Sequence, residues 1–177
     1  MRKGFTLIEI IIYLGIVTVL LTACLSFAWV IINDQIKQEQ LTEVNDAGTF
    51  VLDKITYHSK RANAINAQTL YDLNPGKLIL NYVSGPQITI DTYEKQITLG
   101  DTQTTITKLR LQHGSDPAVD ITGDKINVTN FTISDLSNAN AYTIQIEFAI
   151  ETVNPTNSKT YEAQNSWTTS VTLRKRQ

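Results

Sequence analysis

Residues 1–32 read MRKGFTLIEIIIYLGIVTVLLTACLSFAWVII. Arg2 and Lys3 precede Gly4, and from Phe5 to Ile32 the only charged residue is Glu9. As an α-helix, that run of roughly 28 residues would reach about 42 Å, more than the ~30 Å hydrocarbon layer of a bilayer. The basic pair ahead of it favours a cytoplasmic N-terminus, with the rest of the chain on the far side. An acid within such a run costs ~2–3 kcal/mol at a helix centre, and acids kept there usually have a task. Gly15, Thr18, Thr22 and Ser26 interrupt the run. Small and weakly polar side chains let membrane helices approach closely, or they merely temper hydrophobicity; the residues alone leave both readings open.

The helix has no reason to stop at Ile32. No proline occurs before Pro75, so nothing removes a hydrogen bond from the helical ladder. Beyond Asn33 the text turns polar, and Leu41, Val44, Gly48, Val51 and Ile55 recur at alternating spacings of three and four. Such spacing puts them on one helical stripe. The stripe predicts a helix from about Phe5 to about Ala62 whose second half packs on a sheet, with Glu39, Glu43, Asp46 and Asp53 facing elsewhere. Gly48 would cost about 1 kcal/mol against alanine on an exposed face; on the stripe it predicts a strand in close approach.

After Asn63 the periodicity ends, and Thr, Ile, Val, Asn and Tyr dominate, a strand-favouring mixture. Strands are predicted at 77–83, 87–93, 95–99, 104–111, 126–133, 142–151 and 167–173. Tyr142 to Phe148 alternates polar and apolar residues, as a half-exposed antiparallel strand does. Ser84-Gly85-Pro86, Gly114 to Gly123 and Asn154 to Lys159 read as turns or loops. The predicted class is α+β: a long N-terminal helix packed on a mostly antiparallel β-sheet head.

Gly4-Phe5-Thr6-Leu7-Ile8-Glu9 resembles the class III signal of type IV pilins and of the pseudopilins of type II secretion. The resemblance implies cleavage by a prepilin peptidase between Gly4 and Phe5, and methylation of the new Phe5 amine. It implies that Glu9 pairs with the Phe5 amine of a neighbouring subunit during assembly. It further implies a pilin-like lollipop divided into a leader (1–4), a transmembrane and assembly half-helix (5–32), an amphipathic half-helix (33–64) and a β-rich head (65–177). The implied function is structural rather than enzymatic and needs no cofactor: a minor pilin or pseudopilin of a type IV pilus-like fibre. Its implied partners are other subunits, the prepilin peptidase, and the assembly platform protein and ATPase. The implied location is the bacterial inner membrane, single-pass with an extracytoplasmic head, and then a surface pilus or pseudopilus. A type II secretion or competence pseudopilin would carry the same signal. Two features depart from many type IVa major pilins: one cysteine, Cys24, precludes an internal disulfide, and the helix-kinking proline is absent.

Other readings compete at single sites. A secretory signal peptide would have an apolar core of ~7–15 residues, shorter than this run. Leu21-Thr22-Ala23-Cys24 fits a lipobox, with Cys24 as the anchor of a binding lipoprotein. The apolar residues Leu25 to Ile32 speak against it, and in the pilin reading Cys24 is a small buried hydrophobe. A β-head serving as a membrane-anchored enzyme or receptor is a further class. A net charge of −2 gives no basic field for nucleic acid. His58 and His113 fall on different elements; surface histidines are the simple expectation, and a zinc or catalytic pair the sharper one. Asp116, Asp120 and Asp124 share one loop and could bind calcium, though their spacing matches no EF-hand. Asn127-Val128-Thr129 and Asn130-Phe131-Thr132 fit the glycosylation pattern, which is uninformative in a chain with this export signal. Arg174 to Arg176 reads as a solvated end.

Overall fold

The computed structural model describes residues 6–138, 141–154 and 161–173. Helix α1 runs unbroken over Leu7–Arg61, 55 residues and about 82 Å. Thr6 opens it in an extended conformation, and Ala62 closes it by donating its N–H to the carbonyls of His58 and Ser59. Among the described residues nothing packs on its apolar first half, which is exposed. In the second half Val44, Gly48, Val51 and Ile55 are buried and Leu41 packs beside them, so the predicted stripe is the packing face.

Among the described residues, eight strands follow: β1 (Ala64–Ile65), β2 (Leu78–Asn81), β3 (Ile88–Leu99), β4 (Thr102–His113), β5 (Val119–Asp120), β6 (Ile126–Asp135), β7 (Tyr142–Thr152) and β8 (Gln164–Leu173). They form two antiparallel meanders, β1-β2-β3-β4-β5 and β6-β7-β8. The head is thus two sheets, where the sequence suggested one. They meet where β4 passes β6, with Thr107 N–H donating to Asn127 Oδ1 at 2.9 Å, and Leu109 N–H donates to Thr122 Oγ1 of the segment leading into β6 at 3.1 Å. The outer edge of β6 is covered by the loop before β2, where the N–H groups of Asp72 and Gly76 donate to the carbonyls of Ile133 and Phe131.

The stretches 87–93 and 95–99, predicted as separate strands, are one strand. Nothing between Tyr93 and Lys95 turns the chain, and Glu94 pairs in register with Thr107. The turn comes at Gly100-Asp101, where Gly100 has φ +60°, a value suited to glycine at the first central position of a two-residue hairpin. The 114–123 loop contains the short β5. The turn expected at 154–159 lies, from 155 on, outside the described residues, as do residues 174–176.

Helix and sheets share one core. Val44, Val51 and Ile55 pack in the same cluster as Leu78 and Leu80 of the first sheet, and as Phe131, Ile146 and Phe148 of the second. The period-two pattern of β7 holds: Ile144, Ile146, Phe148 and Ile150 are buried on one face. Gly48 explains how close α1 comes to β8. A Cβ there would overlap the Trp167 indole, which itself stacks on Phe148 at 5.2 Å and 12°. Asn165 Nδ2 donates to Asn45 Oδ1 at 2.8 Å and fixes the same strand to the helix.

Candidate functional site

The start of α1 is built by a local rule. Thr6 Oγ1 accepts from the Glu9 N–H at 3.4 Å, and Thr-x-x-Glu is the spacing of a capping box. A negative group in the first turn also suits the positive end of the helix dipole. Glu9 Oε1 accepts from Tyr13 Oη at 3.5 Å. The cap on Thr6 is thus made by the Glu9 backbone N–H, while the Glu9 carboxylate meets Tyr13 one turn further on. Gly4 and Phe5 lie outside the described residues.

The polar residues in the apolar half are satisfied within the helix. Thr18 Oγ1 donates to the Leu14 carbonyl at 2.7 Å, Thr22 to Thr18 at 2.8 Å, and Ser26 to Thr22 at 2.9 Å. These bonds remove the cost of carrying unpaired hydroxyls into a hydrocarbon layer. Cys24 is exposed in this chain, against the expectation of a buried hydrophobe, because among the described residues nothing packs on this half of the helix.

Residues 1–25 match the family model described as the prokaryotic N-terminal methylation motif. The N-terminus is a type IV pilin-like prepilin signal. No curated protein and no solved structure matches the chain. The prepilin signal runs without a break into the helix that carries the head. That signal supports a pilin- or pseudopilin-type precursor.

In the head, the acidic loop is tied down by lysine. Lys108, only 2% exposed, reaches Asp120 at 2.8 Å and Asp124 at 2.6 Å, and Lys95 reaches Asp124 at 2.9 Å. Tyr93 Oη donates to Asp120 at 2.7 Å. Burial alone would raise the Asp120 pKa, but hydrogen bonds from Lys108 and Tyr93 outweigh it and hold the carboxyl below its usual range. Asp124 is lowered by its bonds to Lys108 and Lys95. Burial disfavours charge on Lys108, and the two carboxylates reverse this, raising its pKa. Two of the three aspartates considered for calcium thus converge on an ammonium group. Asp116 is apart from them, with its carbonyl held by Gln112.

His58 and His113 do come together, with ring centroids 5.6 Å apart and planes at 73°. His58 is not a surface residue: it is 8% exposed, at the closing turn of α1. Its Nδ1 lies 2.8 Å from Tyr82 Oη, which also donates to the His58 carbonyl at 3.3 Å. Both contacts carry a proton when His58 is the Nδ1–H tautomer, which leaves Nε2 as the ring's acceptor. Burial first, then His113, Lys54 and Arg61, push the His58 pKa below its usual value. The histidines line a cleft of about 800 Å³ at the end of α1, between the helix and the 82–88 turn. Neither residue alone signalled this; the pairing of β3 with β4 brings His113 opposite Ile88.

Proposed function

We propose that the chain is a minor pilin or pseudopilin of a type IV pilus-like fibre. The observation that supports the reading is the prepilin signal continuing into an apolar half-helix that has no packing partner among the described residues. In this account the prepilin peptidase cuts after Gly4 and the Phe5 amine is methylated. The subunit waits in the inner membrane with its head outside, and the platform protein and ATPase then drive it into the fibre. The 5–32 segments pack as a central bundle and the heads form its outside or tip. The lack of an internal disulfide separates it from many type IVa major subunits and favours a minor one. A pseudopilin of type II secretion or competence would use the same parts.

Glu9 then meets the Phe5 amine of a neighbour. A carboxylate and an ammonium left single in an apolar bundle are each costly, and pairing offsets that cost and fixes register. Glu9→Ala removes the one charge from the membrane segment, so insertion and cleavage persist. Incorporation fails, because losing one partner of a buried pair costs ~3–5 kcal/mol. The test is the ratio of sheared fibre-associated to membrane-retained protein. A sharply lower ratio for the mutant is expected; equal ratios for mutant and wild type would remove Glu9 from assembly.

A further inference from the structure

We propose that the outer edge of β8 takes up an extended, uncharged segment of another polypeptide as a further strand. An open sheet edge is a template for pairing, so folds blunt their edges with short strands, charges, prolines or covering loops. Among the described residues, the other edges of this head are blunted. β1 and β5, which bound the five-stranded sheet, are two residues each. The loop before β2 covers β6 through the N–H groups of Asp72 and Gly76. β8 is the remaining edge of the three-stranded sheet. It is 10 residues long, and Gln164–Leu173 holds no charge, proline or glycine.

The pairing of β8 shows which of its backbone groups are open. Thr152 N–H donates to the Ala163 carbonyl at 2.8 Å, so residue 163 points its backbone groups at β7. Alternation along the strand turns those of Asn165, Trp167 and Thr169 the same way, and those of Ser166, Thr168, Ser170 and Thr172 outward. The Ser166 N–H is taken by the Asn165 side chain at 2.8 Å. Thr168, Ser170 and Thr172 are exposed, and no described residue accepts from their N–H groups.

Such donors recur every second residue, about 6.8 Å apart, which is the repeat of the carbonyls along one side of an extended peptide. A strand without charge gives an ionic ligand nothing to hold. An incoming strand also stands beside Trp167 and Thr169, which are only partly buried on the face toward α1, so apolar residues at its alternate positions fit there. A second copy of this chain fits less well, because its comparable edge is again β8. An antiparallel β8–β8 pair needs a two-fold axis perpendicular to the sheet. That axis turns α1, which lies on this sheet through Gly48 and Asn45, end for end, whereas two copies rooted in one membrane run the same way. A parallel pair about an axis along the strand sets each N–H against its own counterpart instead of a carbonyl. The exclusion of a second copy rests on the membrane-anchored reading; the open edge does not.

The experiment is calorimetric titration of the full-length chain in detergent with a peptide of sequence 164–173, blocked at both ends and carrying a polyoxyethylene tail for solubility. Freed from the helix, this peptide can run antiparallel to β8 with the same face toward α1, and its positions 166, 168, 170 and 172 then meet the edge. Saturable binding is expected, with Kd on the order of 0.1 mM. N-methylation of the peptide at positions 168 and 170 removes donors that face β8 and should weaken binding at least ~10-fold. N-methylation at 167 and 169 lies on the far side and should leave Kd within about 3-fold. In the protein, Ser170→Pro keeps the ladder with β7, because that N–H points outward, and should weaken the unmodified peptide at least ~10-fold. Absence of saturable binding up to about 1 mM peptide, or equal losses from the two methylation patterns, would overturn the proposal. So would a dimer of the full-length chain, seen by sedimentation without peptide, that Ser170→Pro dissolves, because a second copy would then be the occupant. The methylation arms need no protein variant, so a folding defect in Ser170→Pro cannot obscure the outcome. None of these readouts depends on leader cleavage or fibre assembly, so their failure is distinct from failure of the pilin reading.

Discussion

Gly48→Ala sets two effects of opposite sign against each other. On an exposed helix face the change should stabilise by about 1 kcal/mol, because alanine is the better helix former. At this position the new methyl would overlap the Trp167 indole. Overpacking of this kind costs ~1–3 kcal/mol. Moving Trp167 away also loosens its stack on Phe148, worth roughly 0.5–1.5 kcal/mol. The net expectation is destabilisation by ~1–3 kcal/mol, which lowers the melting midpoint of a head this size by several degrees. Thermal unfolding followed by circular dichroism, on the chain from Asn33 onward, gives the midpoint. The same substitution made with Trp167→Leu isolates the cause, since the smaller side chain leaves room for the methyl. There Gly48→Ala should be neutral or stabilising. A raised midpoint in the Trp167 background, or an equal effect in both backgrounds, would refute the close contact between α1 and β8.

Other outcomes follow from the same physics. Lys108→Met should destabilise the head by ~1–3 kcal/mol in denaturant titration, because it removes the ammonium that Asp120 and Asp124 share and leaves them Lys95 and Tyr93 alone. His58 has a folded-state pKa below its ordinary 6.5, so the unfolded chain takes the proton first. Its contribution to stability is whole above about pH 6.5 and declines as pH falls from there through the folded value; His58→Gln should flatten that part of the stability–pH curve. Asp120 and Asp124 act in a lower window: their pKa values are depressed below 3.8, so their contribution is present above that value and is lost as pH falls through the folded values. Gly4→Val should block removal of the leader, seen as an unprocessed intact mass, because a bulky side chain stands where glycine precedes the cut.

The helix and its packing face were legible because they are local patterns: a proline-free run and a stripe with helical period. β7 was legible for the same reason, since alternation needs only neighbours in sequence. What was missed depends on distant pairing. The split at Glu94 is closed by its partner, since Thr107 opposite it keeps the ladder intact. Lys108 lies with Ile106 on the face of β4 opposite the core residues Leu109 and Leu111, and only the returning 120–124 segment explains its burial there. The cleft joins residues near 57–63, 82–88 and 113, so no window of sequence could show that His58 and His113 face each other. The division into two sheets was hidden likewise, because each strand reads alike whichever sheet it joins.

The central claim is that the first residues are a processed assembly signal. The most direct test is the intact mass of the mature protein from membranes, with sequencing of its N-terminal peptide. The account predicts a chain that begins at Phe5 and carries one methyl group on its amine. A mature chain that begins at a lipidated Cys24, or one that retains Met1 to Gly4, would contradict it.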